Sequence, residues 1–307
     1  MLHVRVTAPA EVCDRVVATI TADPAVANVA VMRGAVDDGK GDLILFDVAR
    51  EAANPIIDSL REHGVLEKGS LSLSETSAIL GEASDRAEQA APGNPSDGVV
   101  WEQVEERART ESRLSWSFLA FLMLATLIAG VGRYLDQPIL IIGAMVVGPE
   151  FAPLSAICVA IVRRQPVIIP RAAITLFGGF AIAITAAWIL WGAAALFGLI
   201  DAHAATTGTQ TDFIVKPDAW SFIIALLAGV AGILSITSAK SSALVGVFIS
   251  ITTVPAAATI ALTLAVGAWA EAGASAIQLG VNLLGLLIGG ITTLLIQVAI
   301  TSRRRRT

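Results

Sequence analysis

Two regions with different patterns of apolar and polar residues make up the chain. Residues 2–8 alternate apolar and polar side chains, as a half-buried strand does, and residues 11–21 place their apolar side chains on one helical face. Further strands and one helix are predicted, in order, at 26–33, 43–49, 52–64 (the helix) and 69–76. The order βαββαβ predicts a ferredoxin-like α+β domain over residues 1–80.

Residues 81–98 are rich in small, polar and helix-breaking residues, which predicts a linker. Residues 99–114 return to a charged helical pattern that leads into the first apolar segment, which predicts a juxtamembrane helix. From there, residues 115–302 are expected to form an α-helical transmembrane domain.

A spanning helix needs about 20 predominantly apolar residues. Six segments meet this requirement: 115–134, 138–162, 171–200, 219–238, 241–266 and 276–301. With the N-terminal domain in the cytosol, eleven Lys and Arg residues flank the inner side and two, Arg133 and Lys216, flank the outer side. This bias predicts a multi-pass protein of the inner or plasma membrane with both termini cytoplasmic.

Charge and composition exclude several classes of function. Twenty of the 26 acidic residues precede residue 114, and the net charge of −5 gives no basic surface for nucleic acid. Cys13 and Cys158 fall in different predicted compartments, and the three histidines lack ligand-like spacing. Because no catalytic or phosphate-binding motif is visible, we expect neither an enzyme nor a cofactor or metal site.

The second apolar segment is interrupted by the run GAMVVGPEFAP at residues 143–153. Pro149 and Pro153 each remove a backbone donor, so they leave carbonyl groups near Met145 and Pro149 without helical partners. Such groups are tolerated at membrane depth only inside a protein bundle or beside a water-filled cavity. The sequence therefore predicts a broken helix that lies inside the bundle or beside a water-filled cavity.

Glu150 falls between the two prolines, close to the predicted midplane, where a charged side chain costs at least about 2.5 kcal/mol. Three interpretations are open. Glu150 binds a cation or proton, it pairs structurally with Arg133 or Lys240, or it sits at a wide aqueous entrance.

A second interruption is indicated near Pro255. Aligning residues 141–161 with residues 244–266 places Gly143 on Gly246, and Pro153 falls one position from Pro255. Each segment is the middle span of a group of three, so the second group would enter from the opposite side, as in transporters with inverted repeats.

Polar residues near Pro255 and in the last span complete the predicted site. Thr252 and Thr253 are expected to bond the disturbed backbone, and Asn282 is expected to hold helices together. The predicted pathway comprises Gly143, Met145, Gly148, Pro149, Glu150, Pro153, Thr252, Thr253, Pro255 and Asn282.

The segments GAMVVGPEFAPL and GVFISITTVPAA, with the late Asn282, resemble the bacterial and archaeal family known as the uncharacterised hydrophobic domain, a domain of unknown function. The resemblance covers about residues 115–300. Members of that family often have an apolar residue at the position of Glu150 and a double proline at Pro255. The resemblance implies a multi-span membrane protein and supplies no established activity.

The leading hypothesis from the sequence is a channel or secondary transporter for a small ion or solute. The cytosolic domain would regulate it, and it would assemble as a homo-oligomer in the lipid bilayer. The alternative is a membrane-anchored sensor or scaffold, in which the helices only anchor and oligomerise.

Overall fold

The computed structural model describes residues 1–36, 41–76, 79–91, 93–94, 98–208, 211, 218–238 and 252–304. The chain forms two compact units. The first is Met1–Val104, and the second consists mainly of Glu105–Ile236 and Lys240–Thr307.

The first unit is built on a four-stranded antiparallel sheet. Its strands are β1 (Leu2–Ala8), β2 (Val26–Val36), β3 (Gly41–Val48) and β4 (Ser70–Glu75), in the spatial order β2-β3-β1-β4. The helices between them are α1 (Ala10–Ala22), α2 (Ala53–Glu62) and the short α3 (Val65–Lys68). The predicted βαββαβ order is confirmed, with β2 ending three residues later than the sequence pattern indicates.

One face of this sheet carries the core of the first unit. Alternate residues of β1, namely Leu2, Val4 and Val6, are fully buried, together with Val16 of α1 and Phe46 of β3. Because successive side chains of a strand point to opposite faces, the alternating pattern of β1 predicts this burial.

The carboxylate of Asp42, at the start of β3, accepts hydrogen bonds from two donors of β2. The Gly34 N–H donates to Oδ1 at 2.9 Å, and the Arg33 guanidinium donates to Oδ2 at 2.5 Å and also to Asp14 at 2.6 Å. The Gly34 N–H and the Arg33 guanidinium hold the pKa of Asp42 below its usual range.

The segment predicted as a linker contains a helix, α4 (Glu82–Ala90), which packs on β2 and β3. Its Ser84 hydroxyl accepts a hydrogen bond from the Asn28 side chain at 3.2 Å and is buried. The sequence pattern missed α4 because small and polar residues dominate it, and its contacts are tertiary.

Residues 98–101, which precede the next helix, are bonded to the start of α2. The Asn54 side chain donates to the Val99 carbonyl at 2.7 Å and accepts from the Trp101 N–H at 3.1 Å. The Arg50 Nε donates to the Gly98 carbonyl at 2.6 Å. Helix α5 (Trp101–Glu111) begins directly after these contacts and lies within the predicted juxtamembrane segment.

The second unit is helical where the structure describes it. Its helices are α6 (Trp116–Tyr134), α7 (Pro138–Val147), α8 (Phe151–Val162), α9 (Ile168–Ala173), α10 (Gly179–Leu196), α11 (Ala202–Thr206), α12 (Ala219–Thr237), α13 (Thr253–Ala265) and α14 (Trp269–Arg304). A π-helical turn at Ile174–Gly178 joins α9 to α10, so the two form one rod.

Four helices in the described residues are long and apolar enough to cross a membrane: Trp116–Tyr134, Ile168–Leu196, Ala219–Thr237 and Trp269–Thr301. Helices α7 and α8 make a fifth span if the pair is counted as one. Of the predicted span 241–266, residues 241–251 lie outside the described residues, and the rest contains the short apolar helix α13. Six spans are therefore not established, while a multi-pass membrane architecture is supported.

Helix α13 is enclosed by other helices rather than exposed on the surface of the bundle. Every residue from Thr253 to Thr263 is buried, and α6, α7, α10 and α14 pack around it. Small side chains, Ala256, Ala257, Ala258 and Ala261 among them, permit this close approach.

Glycines bring the backbones of α12 and α14 into contact. A Cβ atom added at Gly289 would lie 2.2 Å from the Leu226 carbonyl oxygen, and one at Gly229 would lie 2.4 Å from that of Leu286. Both distances are shorter than any side chain tolerates, so these positions require glycine. This packing fixes the inner face of α14 against the rest of the unit.

Candidate functional site

Two helices of the second unit begin in the interior of the bundle. Helix α7 ends at Val147 and α8 starts at Phe151, with a bend of 51° between them. At 1.5 Å per residue, α7 is about 15 Å long and α8 about 18 Å long, so the break lies near the middle of a hydrocarbon core of about 30 Å. The predicted break in this span is confirmed.

Helix α13 also starts at depth. Its 13 residues extend about 20 Å from Thr253 to the turn before Trp269. Pro153 and Pro255 are both the third residue of their helices, where the backbone N–H has no partner within the helix and its loss costs nothing. Each proline therefore marks the start of a half-helix.

A buried carboxylate joins the two helix starts. Glu150, the residue before α8, accepts a hydrogen bond at Oε1 from the Thr253 hydroxyl at 2.7 Å. Glu150 is 3 % exposed, and its second oxygen, Oε2, has no hydrogen-bond partner among the described residues. A Cβ atom at Gly148 would lie 2.3 Å from Oε2 and 2.8 Å from Val254, so only glycine leaves room for this arrangement.

The polar contacts continue from α13 to α14. The Asn282 side chain donates to the Thr252 hydroxyl at 2.7 Å, and the Gln278 amide points to the Asn282 oxygen at 3.5 Å. Thr252 and Thr253 were expected to bond the disturbed backbone. Among the described residues, their hydroxyls bond the side chains of Asn282 and Glu150, and Asn282 joins α14 to the start of α13.

Sequence reasoning missed two members of this cluster, Ser275 and Gln278. Both are buried on α14, and Ser275 Oγ and Gln278 Oε1 have no partner within the part of the chain that is described. Ser275, Gln278 and Asn282 follow one another at helical spacings of three and four residues, which places them on one face. That spacing is the signal that could have identified them.

The other predicted site residues fall into two groups. Met145 is buried beside Ile141, and Pro149 lies at the break. Gly143 is exposed on α7, and a Cβ atom there would meet nothing within 4 Å, so Gly143 does not line the cluster.

The two predicted charge partners of Glu150 do not compensate it in the described structure. The Arg133 guanidinium donates to the Thr211 hydroxyl at 2.6 Å and to the Thr206 carbonyl at 3.2 Å, which ties it to the segment after α10. Lys240 lies outside the described residues. The structural pairing of Glu150 with Arg133 is therefore not made.

Opposing electrostatic effects act on the Glu150 carboxylate. Two helix starts present their positive ends to it. Each stabilises the ionised carboxylate by about 0.3–1 kcal/mol, or by up to about 2 kcal/mol when partly buried. Burying an ionised carboxylate without a cation costs several kcal/mol, which is comparable to or larger than both contributions together. A positive charge, from a proton or a small cation, would therefore be needed to stabilise the buried Glu150 carboxylate further.

Within the described ranges, no three His, Cys, Asp or Glu side chains lie close enough together to hold a metal ion. The oxygen atoms around Glu150 come instead from hydroxyl and amide groups. Such groups suit a proton or a weakly bound monovalent cation.

Comparison with known proteins shows what these features resemble. An uncharacterised protein of Methanocaldococcus jannaschii is 26 % identical over 196 residues, which cover 63 % of this chain and 58 % of the relative. The match thus spans less than two thirds of that relative, and no solved structure matches the chain. Residues 145–288, which include the whole Glu150 cluster from Met145 to Asn282, match the family described as domain of unknown function (DUF389), and the expected resemblance to an uncharacterised family is confirmed.

Proposed function

We propose that this protein is a membrane permeation protein, a channel or secondary transporter, for a small ion or solute. One observation carries the proposal. The Glu150 carboxylate is buried where two half-helices begin, inside the bundle and at mid-depth, and no cation among the described residues pairs with it. Since intramembrane carboxylates are costly, one that no described cation neutralises argues for a role in binding.

The arrangement of the half-helices supports a transport role. Helix α8 runs from the cluster toward Arg163 and Arg164, the predicted inner side, whereas α13 runs toward Trp269, the predicted outer side. Secondary transporters built from inverted repeats place broken helices and their substrate site at the midplane in this way. We therefore propose six spans in two inverted groups of three.

The contacts of residues 98–101 support regulation by the ferredoxin-like unit. Arg50 and Asn54 fix the backbone that leads into α5, so a shift of α2 on ligand binding would move the start of that helix. We propose this connection as the regulatory input, and a homo-oligomer as the functional assembly.

The test is ion flux in liposomes that contain the purified full-length protein. Gradients of Na⁺, K⁺ and Cl⁻ are imposed in turn, and flux is compared with protein-free liposomes. We expect flux above that background, and a loss of about tenfold or more in Glu150→Gln, because interactions with a buried charged group are worth about 1.5–3 kcal/mol.

Glu82→Gln is the matched control, because Glu82 is an exposed carboxylate on α4 of the first unit and should keep the parental flux. A protein that moves no ion under any gradient would refute the proposal. That result would favour the alternative, a membrane-anchored sensor whose soluble unit carries the function.

A further inference from the structure

A buried polar track extends from one end of α14 to Glu150. Ser275, Gln278 and Asn282 lie on one face of the helix, and each is at most 1 % exposed. From Asn282 the track passes to Thr252, and from the adjacent Thr253 to Glu150. The track therefore comprises six side chains from α14, the start of α13 and the start of α8.

The track runs from the Trp269 end of α14 to the depth of the break between α7 and α8. Helix α14 starts at Trp269, so Ser275 lies about 9 Å and Asn282 about 20 Å along its axis. Helix α13 runs antiparallel beside it and brings Thr253 to the depth of Asn282. A polar route of this length would be costly in the core of a helix bundle that had only a structural role.

Three oxygen atoms on this track have no hydrogen-bond partner among the described residues: Ser275 Oγ, Gln278 Oε1 and Glu150 Oε2. Buried polar atoms are rarely left unsatisfied, and those that are point to a strained, catalytic or hydrated site. The unpartnered oxygens lie at both ends of the track. This distribution fits a route that fills with water when the helices open.

Around Glu150, the packed helices contribute few charged or titratable side chains. Among the described side chains, those on α6, α8, α9 and α14 are Arg133, Tyr134, Cys158, Arg171 and Glu271, and the described parts of α7, α10, α12 and α13 add none. None of the described side chains forms an ion pair or hydrogen bond with the Glu150 carboxylate except Thr253. The charge of Glu150 therefore has to be neutralised from outside this set.

A proton meets this need better than a metal cation. Glu150 Oε2 is closely packed against Gly148 and Val254, and it is inaccessible to solvent. A metal ion needs several oxygen ligands around it, whereas a proton adds to one oxygen and takes almost no space.

We propose that Glu150 takes up and releases a proton in each cycle, and that the polar track is its route to the Trp269 end of the bundle. This inference rests on the proposed permeation function and names its ion. The carboxylate at Oε2 gains a proton from water on one side, its charge changes from −1 to 0, and it returns the same proton to water on the other side.

The experiment follows proton entry into liposomes with a trapped pH-sensitive dye, driven by a K⁺ diffusion potential. The full-length parent should acidify the lumen, Glu150→Gln should lower the rate more than about tenfold, and Glu82→Gln should match the parent, because Glu82 is exposed on α4 of the first unit. Gln278→Leu should slow entry by at least about fivefold through loss of a hydrogen-bonding group, while Gln297→Leu, near the other end of α14, should not.

Infrared difference spectroscopy on the same samples gives a readout that does not depend on flux. A carboxylic-acid C=O band that changes with pH should be present in the parent and in Glu82→Gln, and absent in Glu150→Gln. Flux of Na⁺ or K⁺ without proton movement would overturn the proton assignment and leave the permeation function intact. An absence of any flux would overturn both.

Discussion

Substituting alanine at Gly148 tests the geometry of the break directly. The new Cβ would lie 2.3 Å from Glu150 Oε2 and 2.8 Å from Val254 Cγ2, both inside van der Waals contact. Glu150 could avoid the first clash only by moving away from Thr253, which would sacrifice the 2.7 Å hydrogen bond. Overpacking costs about 1–3 kcal/mol, which for a unit of about 200 residues lowers Tm by about 2–12 °C.

The assay is thermal unfolding of the purified full-length protein in detergent, followed by tryptophan fluorescence. Gly143→Ala on α7 is the control, because its Cβ meets nothing within 4 Å and alanine favours a helix over glycine by about 0.5–1 kcal/mol. We expect Gly143→Ala to keep or raise Tm. Equal shifts in the two variants, or an unchanged Tm in Gly148→Ala, would refute the close packing of Gly148 against the carboxylate.

Three further measurements address the rest of the molecule. Gly289→Ala, whose Cβ would meet a backbone carbonyl at 2.2 Å, should lower Tm by several degrees, whereas Gly280→Ala on the same helix, with nothing within 4 Å, should not. Asn54→Ala should lower the free energy of unfolding by about 1–3 kcal/mol, because it leaves buried backbone groups unpaired. Hydrogen exchange at residues 99–101 should accelerate, and unchanged exchange would contradict the proposed connection between α2 and the start of α5. Because the pKa of Asp42 is lowered on folding, its stabilising effect is present above the unfolded pKa of about 3.9 and is lost as pH falls below it. Denaturation of the parent between pH 7 and 3 should show this loss, and Asp42→Asn should show a smaller one.

The fold of the first unit was predictable because its signals are local. Alternation in β1 and helical spacing in α1 each determine which face is buried, and both elements lie within two residues of their predicted bounds. The late end of β2 was not predictable, since its last residues pair with β3, as Val36 does with Gly41. Pairing between strands can extend an element beyond the point where its own pattern ends.

The residues at the helix starts of the candidate site were predictable from the sequence, but the contacts between them were not. Proline chemistry located both helix starts, and the cost of a buried carboxylate singled out Glu150. The partner of Glu150 is Thr253, 103 positions later, and no local pattern indicates a contact over that separation.

The two prolines at the helix starts occupy the same position in their helices. With Pro153 and Pro255 both in the third position of their helices, Glu150 corresponds to Thr252. The two helix starts therefore contribute one carboxylate and one hydroxyl to the same cluster, rather than two carboxylates. One carboxylate leaves one negative charge, and a single proton neutralises it without any further ligand. Two carboxylates at this separation would repel each other and favour a divalent cation, so this asymmetry is a physical reason to expect a singly charged permeant ion.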